Sequence, residues 1–242
     1  MSISAMHMAI PTSNNNVTPS VKDPYFQNVE LLLHMNGVDG GSVFTDSSKY
    51  NRVPTLIDSP QTRTTDYKFP TSSFFSDNGT KSSGSCFWYE ANQNLVFGLN
   101  DFTIEFFVKT SATLNLVMSQ GPGARQLSIS IENNGQIHLD VNTYTQKPLT
   151  FGKVNDNVWH HVAVTRKGTV FYGFVDGKLL QSTSNYGGTV FSQDYMLIGA
   201  FDKDVVTERY GFVGWLDEFR VTNGVCRYIS DFVVPTEPFP DS

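Results

Sequence analysis

Cysteine is nearly absent: the 242 residues carry two, Cys86 and Cys226. Their separation excludes the Cys-x-x-Cys spacing of zinc and redox sites. Both are expected to be reduced and mostly buried, where a free thiol packs as a small apolar side chain. Charge is sparse as well, with 17% charged residues and a formal net charge of -6 scattered in small clusters. No basic stripe exists to neutralise a phosphate backbone, so nucleic acid is not expected as a partner. No apolar run approaches the ~20 residues that span a bilayer, which argues against membrane insertion. The first residues lack both the basic and the uninterrupted apolar regions of a signal peptide, and the Asn16-Val17-Thr18 and Asn78-Gly79-Thr80 sequons are then expected to be accidental. A helical stripe and a fixed-period repeat are missing too.

What the chain does have is strand material. Aromatics make up 13% of it, beside 19 Gly and 11 Pro, a composition with ample material for a β core. The stretch Trp159-His160-His161-Val162-Ala163-Val164-Thr165-Arg166 alternates between two faces, the period of a strand, with Trp159 expected as a core anchor. Val170 to Val175 is β-branched and aromatic, and it ends in Asp176-Gly177, which suits a tight hairpin turn. Lys178 to Thr183 should fold straight back.

Further strands are expected over Val29–His34, Val43–Asp46, Val53–Asp58, Phe69–Phe75, Cys86–Tyr89, Asn94–Phe97, Phe102–Lys109, Leu114–Ser119, Gln126–Glu132, Gln136–Val141, Tyr195–Gly199 and Gly211–Thr222. Strands at this spacing with turn chemistry between them argue an all-β sandwich in one domain, residues 23–242. Residues 1–22, rich in Ser, Thr, Asn, Met and Pro, read as an arm that is either a disordered tail or a segment ordered only on a neighbouring subunit. Along the last strand both faces carry apolar and charged residues, as in the middle of a sheet. Glu218 and Arg220 read there as an ion pair.

Five ordered motifs resemble the laminin-G-like family of concanavalin A-type lectin/glucanase sandwiches: Phe102-Thr-Ile-Glu-Phe-Phe-Val108, Trp159 to Arg166, Phe174-Val-Asp-Gly177, Ile198-Gly199 and Leu216-Asp-Glu-Phe-Arg-Val-Thr222. The resemblance covers roughly Tyr25 to Phe239 and implies a jelly-roll sandwich of two antiparallel sheets. Leu31-Leu-Leu-His34, Phe44-Thr-Asp-Ser-Ser48 and Gly224-Val-Cys-Arg-Tyr228 are similar to the versions of this domain in tailed-phage virion proteins. That context implies synthesis in the host cytoplasm, residence on the virion, other virion proteins as partners, and homo-oligomers within the particle.

Catalytic chemistry is hard to place. The glucanases of this fold carry Glu-x-Asp-x-Glu on one strand, and retaining glycosidases need their carboxyls roughly 5 to 5.5 Å apart. Asp217 and Glu218 are adjacent and point to opposite faces, Glu105 stands alone, and Asp202-Lys203-Asp204 lacks a third acid. His160 and His161 face opposite sides of one strand, His34 and His138 are isolated, and His7 is in the arm.

The resemblance implies one structural calcium ion at the rim, on Asp46 and Asp217 with Asn36 as a third ligand. The competing reading is that Asp46 caps its own turn while Asp217 satisfies nearby backbone donors. A glycan platform needs exposed aromatic rings beside polar groups, and the candidate loops hold Tyr144, Tyr186, Asp202, Asp204, Arg209 and Tyr210. The expectation is a non-enzymatic virion surface protein that attaches through its arm and a sheet edge and binds host-surface carbohydrate. A purely structural decoration protein is the alternative, and a divergent glycan hydrolase with acids from different strands is a third reading.

Overall fold

The computed structural model describes residues 22–77, 85–90, 95–121, 126–142, 146–192, 195–200 and 211–242; the arm expected over residues 1–22 lies outside them except for Lys22. A 3-10 turn, Phe26–Asn28, leads into β1 (Val29–Leu33), β2 (Thr55–Ile57), β3 (Gln61–Arg63), β4 (Ser73–Ser76) and β5 (Cys86–Glu90). Then come β6 (Phe102–Lys109), β7 (Asn115–Gln120), β8 (Leu127–Ile131), β9 (Ile137–Val141) and β10 (Gln146–Phe151). The chain finishes with β11 (His160–Lys167), β12 (Val170–Val175), β13 (Lys178–Thr183), β14 (Tyr195–Ile198) and β15 (Gly214–Asn223).

The strands form two antiparallel sheets, the expected sandwich. One runs β13-β12-β11-β6-β15-β4-β3, with β1 also paired to β15; the other runs β10-β9-β8-β7-β14-β5-β2. Phe102, Ile104, Phe106 and Val108 of β6 and Val162 and Val164 of β11 point between the sheets, where they meet Ile129, Leu139, Met196 and Ile198 of the second sheet. Each fully buried aliphatic or aromatic side chain stabilises the fold by roughly 1.5–3 kcal/mol.

The alternation that places these residues inward also sends Thr103, Glu105 and Phe107 of β6 to the other side. That outer face is buried too, because the segments 22–28 and 224–242 lie across it. Phe107, Val29, Leu32, Phe69 and Phe239 form a second apolar cluster there, with Trp159 packed against it. Trp159 thus anchors this outer cluster, and its indole N–H donates to Asp66 Oδ1 at 2.9 Å.

A network of charges holds the covering segments down. Glu105, fully buried, accepts from Arg220 Nε at 3.0 Å and Nη2 at 2.8 Å, and from the Tyr228 hydroxyl at 3.0 Å. His161 Nε2 lies 3.3 Å from the same carboxylate. Burial alone would raise the Glu105 pKa, but the Arg220 charge, with His161 and Arg227 behind it, holds the carboxyl far below the usual range. Asp23 joins from the N-terminal side, accepting from Arg220 Nη1 at 3.2 Å and from both Arg227 amines at 2.9 and 2.7 Å. Its backbone N–H donates to Ser242 O at 2.8 Å, so the first and last described turns meet. The Arg220 guanidinium also lies 3.7 Å above the Phe239 ring, a cation–π contact in a dry setting.

Glu218 and Arg220 are not the ion pair that simple alternation suggests. Register slips between Asp217 and Arg220, with Glu218 in the left-handed region at φ 49°. Leu216 therefore shares the inner core with Phe219 and Val221, a change of phase that one bulged residue causes. Glu218 takes other partners: His34 Nδ1 at 2.7 Å and the Phe239 N–H at 2.8 Å. His34, expected to be isolated, also meets Asp241 through Nε2 at 2.6 Å.

The remaining differences are local. Residues 43–46 make one bridge, Leu33 to Asp46, and the stretch ending at Phe97 makes one just beyond it, Gly98 to Phe191. β3 and β10 were not expected from the sequence. Cys86 and Cys226 are not joined in a disulfide, the first being buried and the second half-buried.

Replacing Arg220 by Met leaves the Glu105 charge buried without its main partner, and the expected loss is about 3–5 kcal/mol in urea unfolding. His34 gives a second test. Burial lowers its pKa, but the hydrogen bonds and charges of Glu218 and Asp241 prevail and raise it from 6.5 to about 9. Its contribution is therefore complete below pH 6.5 and is lost as pH rises through about 9. The urea midpoint of the wild type is expected to fall between about pH 6 and about pH 10, and that of His34→Gln to fall less.

Candidate functional site

Among the loop residues expected to form a recognition surface, Tyr186 is described; Tyr144, Asp202, Asp204, Arg209 and Tyr210 lie outside the described residues. Tyr186 follows β13, 45% exposed, with its backbone left-handed at φ 61°. Thr189 closes the turn, donating its N–H and its hydroxyl to Tyr186 O at 3.0 and 2.8 Å. The next residue must be glycine: a Cβ on Gly187 would stand 1.7 Å from Thr169 O. The loop is thus pressed onto the turn between β11 and β12.

What presses it there is Arg166, buried on β11. Nε donates to Gly168 O at 2.9 Å, Nη1 to Thr189 O at 3.0 Å and Gly98 O at 3.3 Å, and Nη2 to Gly187 O at 2.6 Å. Phe171 and Phe191 flank the guanidinium at 5.7 and 5.6 Å. Burial pulls the Arg166 pKa down and the Asp101 charge opposes it. One side chain therefore braces three stretches of backbone, around Gly98, Gly168 and Gly187–Thr189.

Leu99 and Val190, 59% and 51% exposed, flank the paired residues Gly98 and Phe191. Lys167 and Asp101 pair at 2.9 Å, and Asp101 Oδ1 accepts from the Gly168 N–H at 2.7 Å. Ser192 ties the loop sideways through paired hydrogen bonds with the Gln126 amide at 2.6 and 3.4 Å. The sequence signal for Arg166 was present but unread: an arginine on the same strand face as Val162 and Val164 has to find buried acceptors.

The three oxygen ligands expected for calcium occupy different settings. Asp46 Oδ1 accepts from the Leu32 and Ser48 N–H groups at 3.1 and 3.0 Å, and Oδ2 from Arg52 N–H at 3.0 Å and the Ser48 hydroxyl at 2.9 Å. Asp217 Oδ2 accepts from Lys68 and Phe69 N–H at 2.8 and 3.1 Å, and Oδ1 from Glu218 N–H at 2.9 Å. Asn36 Oδ1 accepts from Thr71 N–H at 2.9 Å. Asn36 and Asp217 grip the same segment, residues 68–71, while Asp46 grips the start of the domain.

Every one of these oxygens faces amide or hydroxyl protons, the reverse of what a dication requires. Burial pushes the Asp217 carboxyl up to about 7, with the Glu218 charge adding to it against the pull of the amides. As placed, the three residues do not fit a calcium ion, and among the described residues no group of three or more His, Cys, Asp and Glu is arranged to hold a metal.

Among the described residues, two clefts touch the expected ligand residues. One of about 310 Å³ lies beside β2 and is lined by Val43, Phe44, Asp46, Arg52, Val53 and Leu56. The other, about 460 Å³, lies between His34, Asn36 and residues 238–242.

A laminin G family model, described as the concanavalin A-like lectin/glucanases superfamily, matches residues 83–227. No curated protein matches the chain. The binding domain of Paraclostridial Mosquitocidal Protein 1 is similar in fold, at 14% identity and TM-score 0.61 over 82% of this chain and 49% of that one. The binding domain of botulinum neurotoxin DC, solved in complex with rat synaptotagmin II, matches at 14% identity and TM-score 0.60 over 90% of this chain and 50% of the other. A botulinum neurotoxin type C structure, reported with the finding that cell entry depends on interaction with two ganglioside molecules, matches at 13% identity and TM-score 0.61 over 86% and 49%. The likeness is one of fold, and this chain spans about half the length of each.

Arg166→Met is expected to free the loop: amides of residues 187–191 should lose hydrogen-exchange protection, and stability should drop by about 3 kcal/mol or more as the carbonyls of Gly168, Gly187 and Thr189 lose the Arg166 donor, while Gly98 O keeps the Phe191 N–H. Calcium and chelator are both expected to leave the thermal midpoint unchanged, because an ion that binds the folded state raises it by mass action.

Proposed function

The chain belongs to the concanavalin A-like lectin/glucanases superfamily, and on that footing we propose that it serves as a non-catalytic, lectin-like surface module of a tailed-phage virion that engages host-surface carbohydrate. The observation that carries this reading is the Tyr186 loop, an exposed ring on a turn that Arg166 has already fixed. Preorganised aromatic surface binds sugar C–H faces with little ordering cost.

The acids support the same reading. Glu105 is spent on Arg220, Asp217 on three amides, and Glu218 on His34 and Phe239. None of them faces another across an open cleft at the separation glycoside hydrolysis needs. Among the toxin structures of similar fold, one is a binding domain in complex with rat synaptotagmin II and another is tied to cell entry through two ganglioside molecules, in line with a recognition role for the shared architecture. Attachment to other virion proteins falls to the arm and a sheet edge, in a homo-oligomer within the particle.

A second reading, a structural decoration protein without a glycan ligand, is favoured by the exposed Val43, Val53 and Leu56 around the cleft beside β2. Exposed aliphatic side chains around the terminal strand of a sheet suit protein packing better than sugar. Binding to host envelopes separates the two. The full chain is expected to bind saturably, to lose binding when envelope glycans are cleaved by periodate, and to weaken about tenfold on Tyr186→Ala with its thermal midpoint unchanged. Strong binding to particles with no binding to envelopes favours the decoration role.

A further inference from the structure

The cleft beside β2 is walled by residues that belong with the core. Leu56 of β2 pairs with Phe87 of β5, and directly opposed residues share a face of the sheet, here the inward one. β2 ends that sheet, and Leu56 stays 40% exposed. Phe44, stacked on Phe87 at 4.3 Å, is buried in the main core and also lines the cleft. Val43 and Val53 line it too, 71% and 88% exposed. The cleft is therefore a place where the apolar layer between the sheets reaches the surface.

The backbone beside it is open as well. The outer side of β3 is closed by residues 38–41: the Gly40 N–H donates to Thr62 O and the Thr62 N–H to Gly41 O, both at 2.8 Å. At the other end of the sandwich β10 and β13 meet, with the Thr150 N–H donating to Gln181 Oε1 at 2.6 Å. β2 has β5 on one side, and among the described residues no hydrogen bond reaches its other side. Such an edge accepts an added strand: its outward N–H and C=O groups bind the new backbone, and alternate side chains enter the pocket beside it.

Residues 1–21 have the chemistry of such an occupant. They include no Asp, Glu, Lys or Arg, so no charge has to leave water on docking. An extended Met6-His7-Met8-Ala9-Ile10 puts Met6, Met8 and Ile10 on one face, and methionine fills irregular apolar space well. Pro11 has no N–H to give to a ladder and ends the run. The residues from Pro11 to Lys22 span up to about 40 Å, enough to reach a neighbouring molecule. They depart from Asp23, which Arg220 and Arg227 hold on the outer face of the first sheet, whereas the cleft opens at the edge of the second.

We propose that the cleft beside β2 receives residues Met6–Ile10 of a second copy of this chain, added as a strand to the open side of β2. Arm and cleft are unlike surfaces, so the contact is heterologous: it links copies head to tail and makes a ring where the rotation closes. The inference rests on the homo-oligomer reading given above, and it assigns the arm and the sheet edge to the two sides of one joint.

Light scattering of the full chain over a range of concentrations tests it, with Met8→Asp to break the arm and Leu56→Asp to break the cleft. Val53→Asp, at a position 88% exposed, repeats the cleft test where the fold is not at stake. The wild type is expected to associate, and each variant to do so about tenfold more weakly or worse. An equal mixture of Met8→Asp with either cleft variant should recover a two-chain species, because one intact arm still meets one intact cleft. The amides of Thr55–Ile57 should gain hydrogen-exchange protection as the wild type associates. Association that none of the variants weakens, or mixtures that stay dissociated, overturns the joint and leaves the homo-oligomer standing. The mass of one chain at every concentration overturns both.

Discussion

The Glu105–Arg220 pair is the contact on which the rest of the molecule depends. Two charges removed from water cost several kcal/mol each, and attraction repays this only when every remaining lone pair and proton is matched. Here the matching groups come from far apart in the chain, Tyr228 and Arg227 after the last strand and Asp23 ahead of the first, with His161 of β11 lying 3.3 Å from Glu105. Satisfying one buried carboxylate thus draws both covering segments onto the outer face of the first sheet, where Phe107 and Phe239 complete the seal. Apolar burial supplies most of the stabilisation, and the charges select which segments cover that face.

With one sheet covered on both sides, the proposed recognition surface falls to the loops. Arg166 repeats the logic of Arg220 with carbonyls in place of carboxylates: a buried guanidinium makes no sense until several backbone oxygens converge on it, and the convergence fixes a turn that carries an exposed tyrosine. Both arginines turn a desolvation cost into geometric order. The glucanase chemistry known on this fold has no obvious counterpart in Glu105, Glu218 or Asp217, which are bound to arginine, histidine and amides respectively.

Much of the fold could be read directly, because strand alternation and Asp-Gly or Asn-Gly turns act over a few residues. β6, β12 and β13 match their expected limits for that reason. β10 carries Pro148, which argues against a strand, and only Leu149 and Phe151 hint at its alternation, while β3 is three polar residues long with no apolar period to detect. The bulge at Glu218 resets the phase of the last strand, which alternation alone cannot foresee, and it gave Glu218 and Arg220 the wrong partners. Glu105 looked solitary because its partners lie more than a hundred residues away. Tyr186 was legible from turn chemistry, whereas Arg166 was a misplaced charge whose purpose only the packing explains.

The central claim is that the covering segments are integral to the sandwich and not draped over it. Native-state hydrogen exchange measures this directly. The amides of Arg227, Phe232 and Phe239, which donate to Thr103, Gly177 and Glu218, are expected to open only with the β6 and β15 amides in one cooperative step. If those three exchange rapidly while β6 and β15 stay protected, the buried charge network does not organise the fold and the account fails.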